Sequence, residues 1–304
     1  NNFQAEARLL RAMSYYSLLQ LYARPFWDGN GSKPGVPMRL KGNTGSDDYA
    51  KARATVAEVY TQILADLDFA ETNLPASYST ALNNTIRAHK NTAIALKTRV
   101  YLSMGRFANV ITEANKIVSS TAPYSAPTGV AHALQADITN VFKAPYTTSE
   151  SIFSMPFASN ETPGGQNQLG YYYGPAAFNG GNGEYSLLPT GIIANAGWKT
   201  ADRRRTMVAV FGGKSYLTKY SVPSIFTDYA PVIRYAEVLL SLAEARVRST
   251  NTVDAQAIAL LNAVRSRSDA STVFTAADFA NSTALANAIV TERRIELLGE
   301  GIRG

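Results

Sequence analysis

Residues 92–118 read TAIALKTRVYLSMGRFANVITEANKIV, and this stretch decides the fold. Leu96, Tyr101 and Leu102 mark a first arm, Gly105 stands at a turn, and Phe107, Ala114 and Ile117 mark a second arm. Apolar residues at three- and four-residue spacing share one face of an α-helix, so the pattern predicts a helical hairpin over 88–118. The interleaving of small and large residues along its arms resembles a tetratricopeptide unit, in which paired helices interlock. A comparable pattern recurs at 233–268. There Ile233, Ala236, Leu240, Ala243 and Val247 are expected on one face, answered by Ala257, Leu261 and Val264 on the next helix. Leu285, Ile289 and Ile295 predict a last helix.

Toward the N-terminus, Ala5, Leu9, Ala12, Tyr16 and Leu19 place a first helix that ends near Arg24-Pro25. A long loop follows to about Asp48, rich in Gly, Pro, Asn and Asp and containing Trp27-Asp28-Gly29-Asn30-Gly31. Thr55 and Glu58 have the spacing of a capping box, and Val56, Val59, Ile63, Leu67, Ala70 and Leu74 continue it as a second apolar face, closed by Pro75. Between residues 120 and 230 the periodicity fails. Tyr171, Tyr172, Tyr173, Phe178 and Tyr185 are scattered there among glycines and asparagines, including Asn182, without helical spacing. Such irregular segments on a rigid scaffold are where binding residues concentrate.

The composition is globular: 46% hydrophobic and 17% charged residues in 304. No stretch approaches the roughly 18 uninterrupted apolar residues of a transmembrane helix. Zero cysteines exclude disulfides, thiolate metal sites and cysteine nucleophiles. The net charge of +6 invites an anionic partner, yet Arg203-Arg204-Arg205 is the one dense basic run, too little to track nucleic acid. No cofactor motif is complete. Gly213-Lys214-Ser215 imitates the end of a phosphate loop, but Val208 stands where that loop requires glycine. His89 and His132 are the two histidines and lie far apart in sequence, which favours structural or exposed roles. Glu292 and Glu296 share a helical face flanked by Arg293 and Arg294, the pattern of ion pairing rather than of a hydrolytic carboxylate pair. Asp47-Asp48 lacks a calcium-loop pattern and reads as a solvated turn. No catalytic or metal-binding residue is expected.

The stretch AEARLLRAMSYYSLLQLYARPFWDGNGSKPGVPMRL (5–40) resembles the first helix and following loop of the SusD/RagB family, and 92–118 resembles that family's first tetratricopeptide-like pair. LLPTGIIANAGWKTADRRR (187–205), YLTKY (216–220), VIRYAEVLLSLAEARV (232–247) and ERRIELLGEGIRG (292–304) follow in the family's order and separations. The resemblance covers nearly the whole chain. It implies one mainly α domain over 1–304, with helical hairpins at 1–118 and 232–304 as scaffold, a loop-rich ligand side at 119–231, and minor strand. It also implies a chain truncated at both ends, whose precursor is held to the outer surface of the outer membrane by a lipid anchor absent from this sequence.

The implied function is capture of oligosaccharides and their delivery to a SusC-like TonB-dependent transporter, without catalysis or cofactor. Binding of oligopeptides on a RagB-like site is the nearest alternative, and a tetratricopeptide-type protein scaffold the next. The family's loop after the first helix contributes to its binding surface, which directs attention to Trp27 and Asn30. An indole face can stack on the C–H face of a pyranose while an amide donates to and accepts from its hydroxyls; Trp27 pinning its own loop is the competing reading. Tyr171, Tyr172, Tyr173, Phe178, Asn182 and Tyr185 are the further candidates, set against a loop core that merely packs. Trp198, beside Lys199 in a family-like helix, reads as core.

Overall fold

The computed structural model describes residues 1–42, 45, 49–161 and 168–301. The fold is mainly α. Helix α1 (Asn2–Tyr22) lies beside α2 (Val56–Asn73), and α2 lies beside α4 (Lys90–Ser103), which a short α3 (Ala81–Ile86) precedes. The capping box forms as its spacing requires: Thr55 Oγ1 accepts from the Glu58 backbone N–H at 3.2 Å, and Glu58 Oε2 accepts from the Thr55 N–H at 2.7 Å. Two of the four orphan donors at the start of α2 are thereby satisfied.

The hairpin at 88–118 is α4 and α5 (Phe107–Ala114), turned by Gly105 at φ +69°, a left-handed conformation that glycine adopts without a Cβ penalty. The second hairpin is α8 (Tyr235–Thr250) and α9 (Ala255–Ser266). Asn251 ends α8 at φ +54° with its N–H on Val247 O, and Asp254 caps α9 by accepting from Ala257 N–H at 2.7 Å. Helix α5 packs on α8, and α10 (Ser282–Glu296) packs on α8 and α9. One continuous apolar core runs from Leu9 and Ile63 through Ile94 and Leu240 to Leu261 and Ile289.

The intervening region carries small sheets. Strand β1 (Ser151–Met155) pairs antiparallel with β5 (Ala230–Arg234); β2 (Ser186–Leu187), β4 (Lys214–Leu217) and β3 (Val208–Phe211) form an antiparallel sheet in that spatial order. Short helices α6 (Leu169–Tyr173) and α7 (Ala176–Asn179) cross the same region.

Two local expectations are corrected. Ile233 belongs to β5, opposite Phe153, and α8 begins only at Tyr235. Its apolar spacing continues that of the helix, but pairing with β1 holds Arg234 extended at φ −121°, ψ 156°. Trp198 lies in a turn after the 3-10 segment Ile192–Ala194 instead of within a helix, its N–H donating to Asn195 O at 2.9 Å. Its ring is nevertheless core: it is 3% exposed, packs with Ile192 and Ile295, and carries the Arg205 guanidinium 4.2 Å from its centroid. Trp198→Ala is expected to cost about 3 kcal/mol of folding stability by leaving a cavity, measured by chemical denaturation. A loss below about 0.5 kcal/mol would show that the ring is not part of the core.

Candidate functional site

The loop after α1 is fixed at both shoulders. Ala57 N–H donates to Gly31 O at 2.8 Å and Val56 N–H to Lys33 O at 2.9 Å, so the first turn of α2 spends its orphan donors on the loop. Arg53 ties the far side, donating to Gly35 O at 2.5 Å and Tyr22 O at 2.7 Å. Phe26 pins the middle: it is 5% exposed and meets Tyr60 edge-on at 5.6 Å. Trp27, the next residue, turns the other way and is 76% exposed.

Gly29, Asn30 and Gly31 then run at φ +71°, +52° and +79°. Three successive left-handed residues are tolerable because two are glycine and the third is Asn, the residue other than glycine that visits this region most readily. At Gly31 the requirement is also one of space, since a Cβ would lie 2.8 Å from the Phe26 ring and 2.9 Å from Ala57 Cβ. A large exposed indole beside a strained, anchored turn is an arrangement that packing does not explain.

The tyrosine region forms a second aromatic group. Tyr172 and Tyr185 lie 5.5 Å apart, Tyr173 lies 5.9 Å from Tyr185, and Tyr171 meets Tyr172 edge-on at 5.5 Å. Backbone bonds hold the arrangement: Asn182 N–H donates to Tyr171 O at 2.8 Å and Tyr185 N–H to Tyr172 O at 3.2 Å. Buried Asn179 braces it from beneath, donating to Gly170 O and Tyr220 O and accepting from Gly181 N–H. A side chain at Gly181 would put its Cβ 2.1 Å from Gly174 O, so glycine is required for the two loop arms to meet. Tyr185 is 57% exposed, whereas Tyr171, Tyr172 and Tyr173 are half-buried. Burial and the neighbouring Tyr185 push the Tyr173 hydroxyl above its ordinary pKa.

The fold thus brings Tyr171, Tyr172, Tyr173 and Tyr185 together. Phe178 departs from them, packing on Phe211 at 6.1 Å, and the Asn182 side chain donates to Glu184. Among the described residues no hydrogen bond, ion pair or ring contact joins this group to Trp27 or Asn30. Sequence reading missed Tyr220 and Phe226, which extend the group through Tyr173 at 5.8 Å and Tyr171 at 5.8 Å. Tyr220 closes the YLTKY stretch, the signal that could have found it; Phe226 carried none.

The titratable groups weighed for catalysis are committed elsewhere. Glu292 and Glu296 are buried and accept from Arg204. His89 and His132, remote in sequence, stack at 5.2 Å with an interplanar angle of 23°, and His132 stacks in turn near Tyr235. Burial and the adjacent His132 lower the His89 pKa to about 3; burial lowers that of His132 to about 4. Asp47 and Asp48 lie outside the described residues.

Comparison with known proteins meets this geometry at both ends of the chain. A family model described as starch-binding associating with outer membrane matches residues 1–102, and the SusD family model matches residues 205–304. The chain belongs to the SusD/RagB family. A SusD-like protein P2 of Formosa agariphila is 26% identical over 343 aligned positions, covering 99% of this chain and 63% of its own length. The crystal structure of a SusD superfamily protein from Bacteroides fragilis superposes with a TM-score of 0.81 at 30% identity, over 99% of this chain and 66% of its own. A laminarin-binding SusD-like protein superposes with a TM-score of 0.68 at 24% identity over 99% of this chain, a likeness of fold alone. The chain therefore spans just under two thirds of the length of its first two SusD-like relatives. The Trp27 loop lies within the N-terminal match; Tyr171, Tyr172, Tyr173 and Tyr185 lie between the two matches, and Tyr220 and Phe226 within the C-terminal one.

Proposed function

We propose that this chain is a surface binding protein for oligosaccharides, that the Trp27 loop is its principal sugar contact, and that it passes the bound glycan to a TonB-dependent transporter in the outer membrane. The observation that carries the reading is the exposed Trp27 ring on a turn that Phe26, Arg53 and the start of α2 already fix, leaving the indole no structural task. The family model over residues 1–102 is described as starch-binding, and one structural relative is named for laminarin, which makes neutral glucans the first ligands to test. An indole face stacks on the apolar face of either glucose polymer, and Asn30 adds a donor and an acceptor beside it. Tyr185 and its neighbours supply a further ring surface on the loop-rich side. In this reading the helices of residues 1–118 and 232–304 act as scaffold, and the Trp27 loop together with 119–231 supplies the ligand side. The chain, so read, binds without chemistry; Glu292 and Glu296, the carboxylate pair weighed for hydrolysis, are both held by Arg204.

Calorimetric titration with malto-oligosaccharides, laminari-oligosaccharides and a peptide panel tests the proposal. Trp27→Ala is expected to weaken glycan binding about thirtyfold, the roughly 2 kcal/mol typical of a truncated aromatic anchor. The melting temperature should shift by less than about 2 °C, since so exposed a ring makes few buried contacts. Unchanged affinity with a large drop in melting temperature would make Trp27 a structural residue and refute the assignment. Binding of peptides in preference to glycans would replace the ligand class.

A further inference from the structure

The basic run Arg203-Arg204-Arg205 is divided by the fold. Arg204 is buried among Asp202, Glu292 and Glu296, and Arg205 donates to Ile193 O and Trp198 O. Arg203 alone faces outward. With Lys143 it lines a cavity of about 400 Å³, whose polar wall is completed by Thr139, Thr206, Thr218 and Ser221. Among the described residues lining that cavity none is a carboxylate, and the volume is within the range of about 300–1,000 Å³ typical of small-ligand pockets.

The donors of this wall are only partly spent. Arg203 gives Nε and one terminal nitrogen to Asp137, leaving its other terminal nitrogen without a protein partner among the described residues. Lys143 Nζ donates to Thr139 Oγ1 at 3.1 Å and retains two protons. The hydroxyls of Thr218 and Ser221 make no hydrogen bond to the described residues. Lys219 closes the inner end and is saturated, donating to Glu296 O, Leu298 O and Glu300 Oε1. The open face therefore presents Lys143 as its free cation, with the remaining Arg203 nitrogen and the Thr218 and Ser221 hydroxyls beside it; Thr139 and Thr206 already donate to Asp137 and to Arg203 O, and Asp137, which pairs with Arg203, is not among the lining residues. Such a set suits a group that only accepts hydrogen bonds and carries negative charge; a neutral hydroxyl would leave the charge–charge attraction unused.

We propose that this cavity is a second ligand site, which takes an oxyanion carried on a sugar ring, either the carboxylate of a uronic acid or a sulfate ester. The inference deepens the glycan-binding reading by adding acidic sugars to its ligands, and it uses none of the residues placed at the Trp27 site.

Titration of the whole chain at low ionic strength, with a galacturonic acid trimer, its full methyl ester and a sulfate-ester trisaccharide, tests the site. At least one charged trimer is expected to bind about tenfold or more tighter than the methyl ester, with an advantage that shrinks as salt is added. Lys143→Gln should bring that ratio close to one with the melting curve unchanged, since Lys143 is exposed. Trp27→Ala should leave the ratio as it is, so failure of the Trp27 assignment is visible separately as unchanged binding of neutral glucans. Preference for the carboxylate or for the sulfate ester assigns the oxyanion. Equal binding of both charged trimers and the ester, or a ratio that survives Lys143→Gln, overturns the proposal.

Discussion

Glu296→Gln is expected to lower the stability of this protein by about 4 kcal/mol and its melting temperature by about 10 °C. Glu296 is fully buried at the end of α10 and accepts from Arg204 at 2.9 Å, from Arg234 at 3.0 Å and from Arg267. Burial alone would push its carboxyl up in pKa, but Arg267, Arg234 and Arg204 outweigh that and hold it well below the usual carboxylate range. These residues belong to a wider buried network of six carboxylates, Glu150, Asp202, Asp269, Glu292, Glu296 and Glu300, and five cations, Arg204, Lys219, Arg234, Arg265 and Arg267.

Gln has nearly the shape of Glu, so the packing survives while three guanidinium groups lose an anion they cannot replace with water. A buried pair broken on one side typically costs about 3–5 kcal/mol, because the remaining charge stays buried. Glu58→Gln, at the exposed capping box of α2, provides the contrast and should cost far less. Urea denaturation of both variants is the measurement. Equal small losses would mean that the network contributes nothing specific to stability.

The second large effect is expected in acid. A carbonyl can only accept, so the contact of His89 Nε2 with Asn84 O at 3.1 Å and of His132 Nδ1 with Ser149 O at 3.0 Å places the proton of each neutral ring on those nitrogens. His89 Nδ1 and His132 Nε2 are left buried with no partner among the described residues, and a second proton on either ring would sit uncompensated inside the core. Folded pKa values of about 3 and about 4 lie below the ordinary 6.5, so between these limits the unfolded chain binds more protons than the folded one.

Stability is therefore complete above pH 6.5 and falls as the pH drops through that window, by about 3 kcal/mol per pH unit for the two rings together. At pH 4.5 the loss is about 5 kcal/mol, comparable to the whole stability of many domains. Above about pH 6 the unfolded carboxylates scarcely titrate, so the slope there belongs to the histidines. His132→Asn and His89→Gln each retain the nitrogen donor that the native ring uses, and each should halve the slope of unfolding free energy against pH. A slope unchanged in the double variant would assign the acid sensitivity to other groups.

The helical scaffold was legible because its determinants are local. The apolar faces of α2, α9 and α10, the Thr55–Glu58 box and the turn at Gly105 are fixed by residues within a turn or two of one another, and the structure has them where the spacing puts them; α4 is a helix as expected but is buried nearly all round, with Tyr101 and Leu102 only half-buried. The ion-paired role of Glu292 and Glu296 was legible for the same reason, although their partners were not. The expected neighbours Arg293 and Arg294 flank them in sequence, but Arg204, 88 and 92 residues away, is the cation that reaches both. The order of motifs along 5–40, 92–118, 187–205, 216–220, 232–247 and 292–304 was enough to indicate the family.

Only the tertiary structure decided the rest. Ile233 fits a helical face by spacing yet lies in a strand, because its partner Phe153 is 80 positions earlier in the chain. His89 and His132, read as separate, form one stack across the start of α4. Tyr220 and Phe226 join the tyrosine group, and Phe178 leaves it for Phe211. The run Arg203-Arg204-Arg205 was a single cluster in sequence, but the fold sends its members to a cavity, a buried carboxylate network and the face of Trp198. In each case burial and charge compensation depend on which distant segments share a volume, and three- or four-residue periodicity carries no information about that.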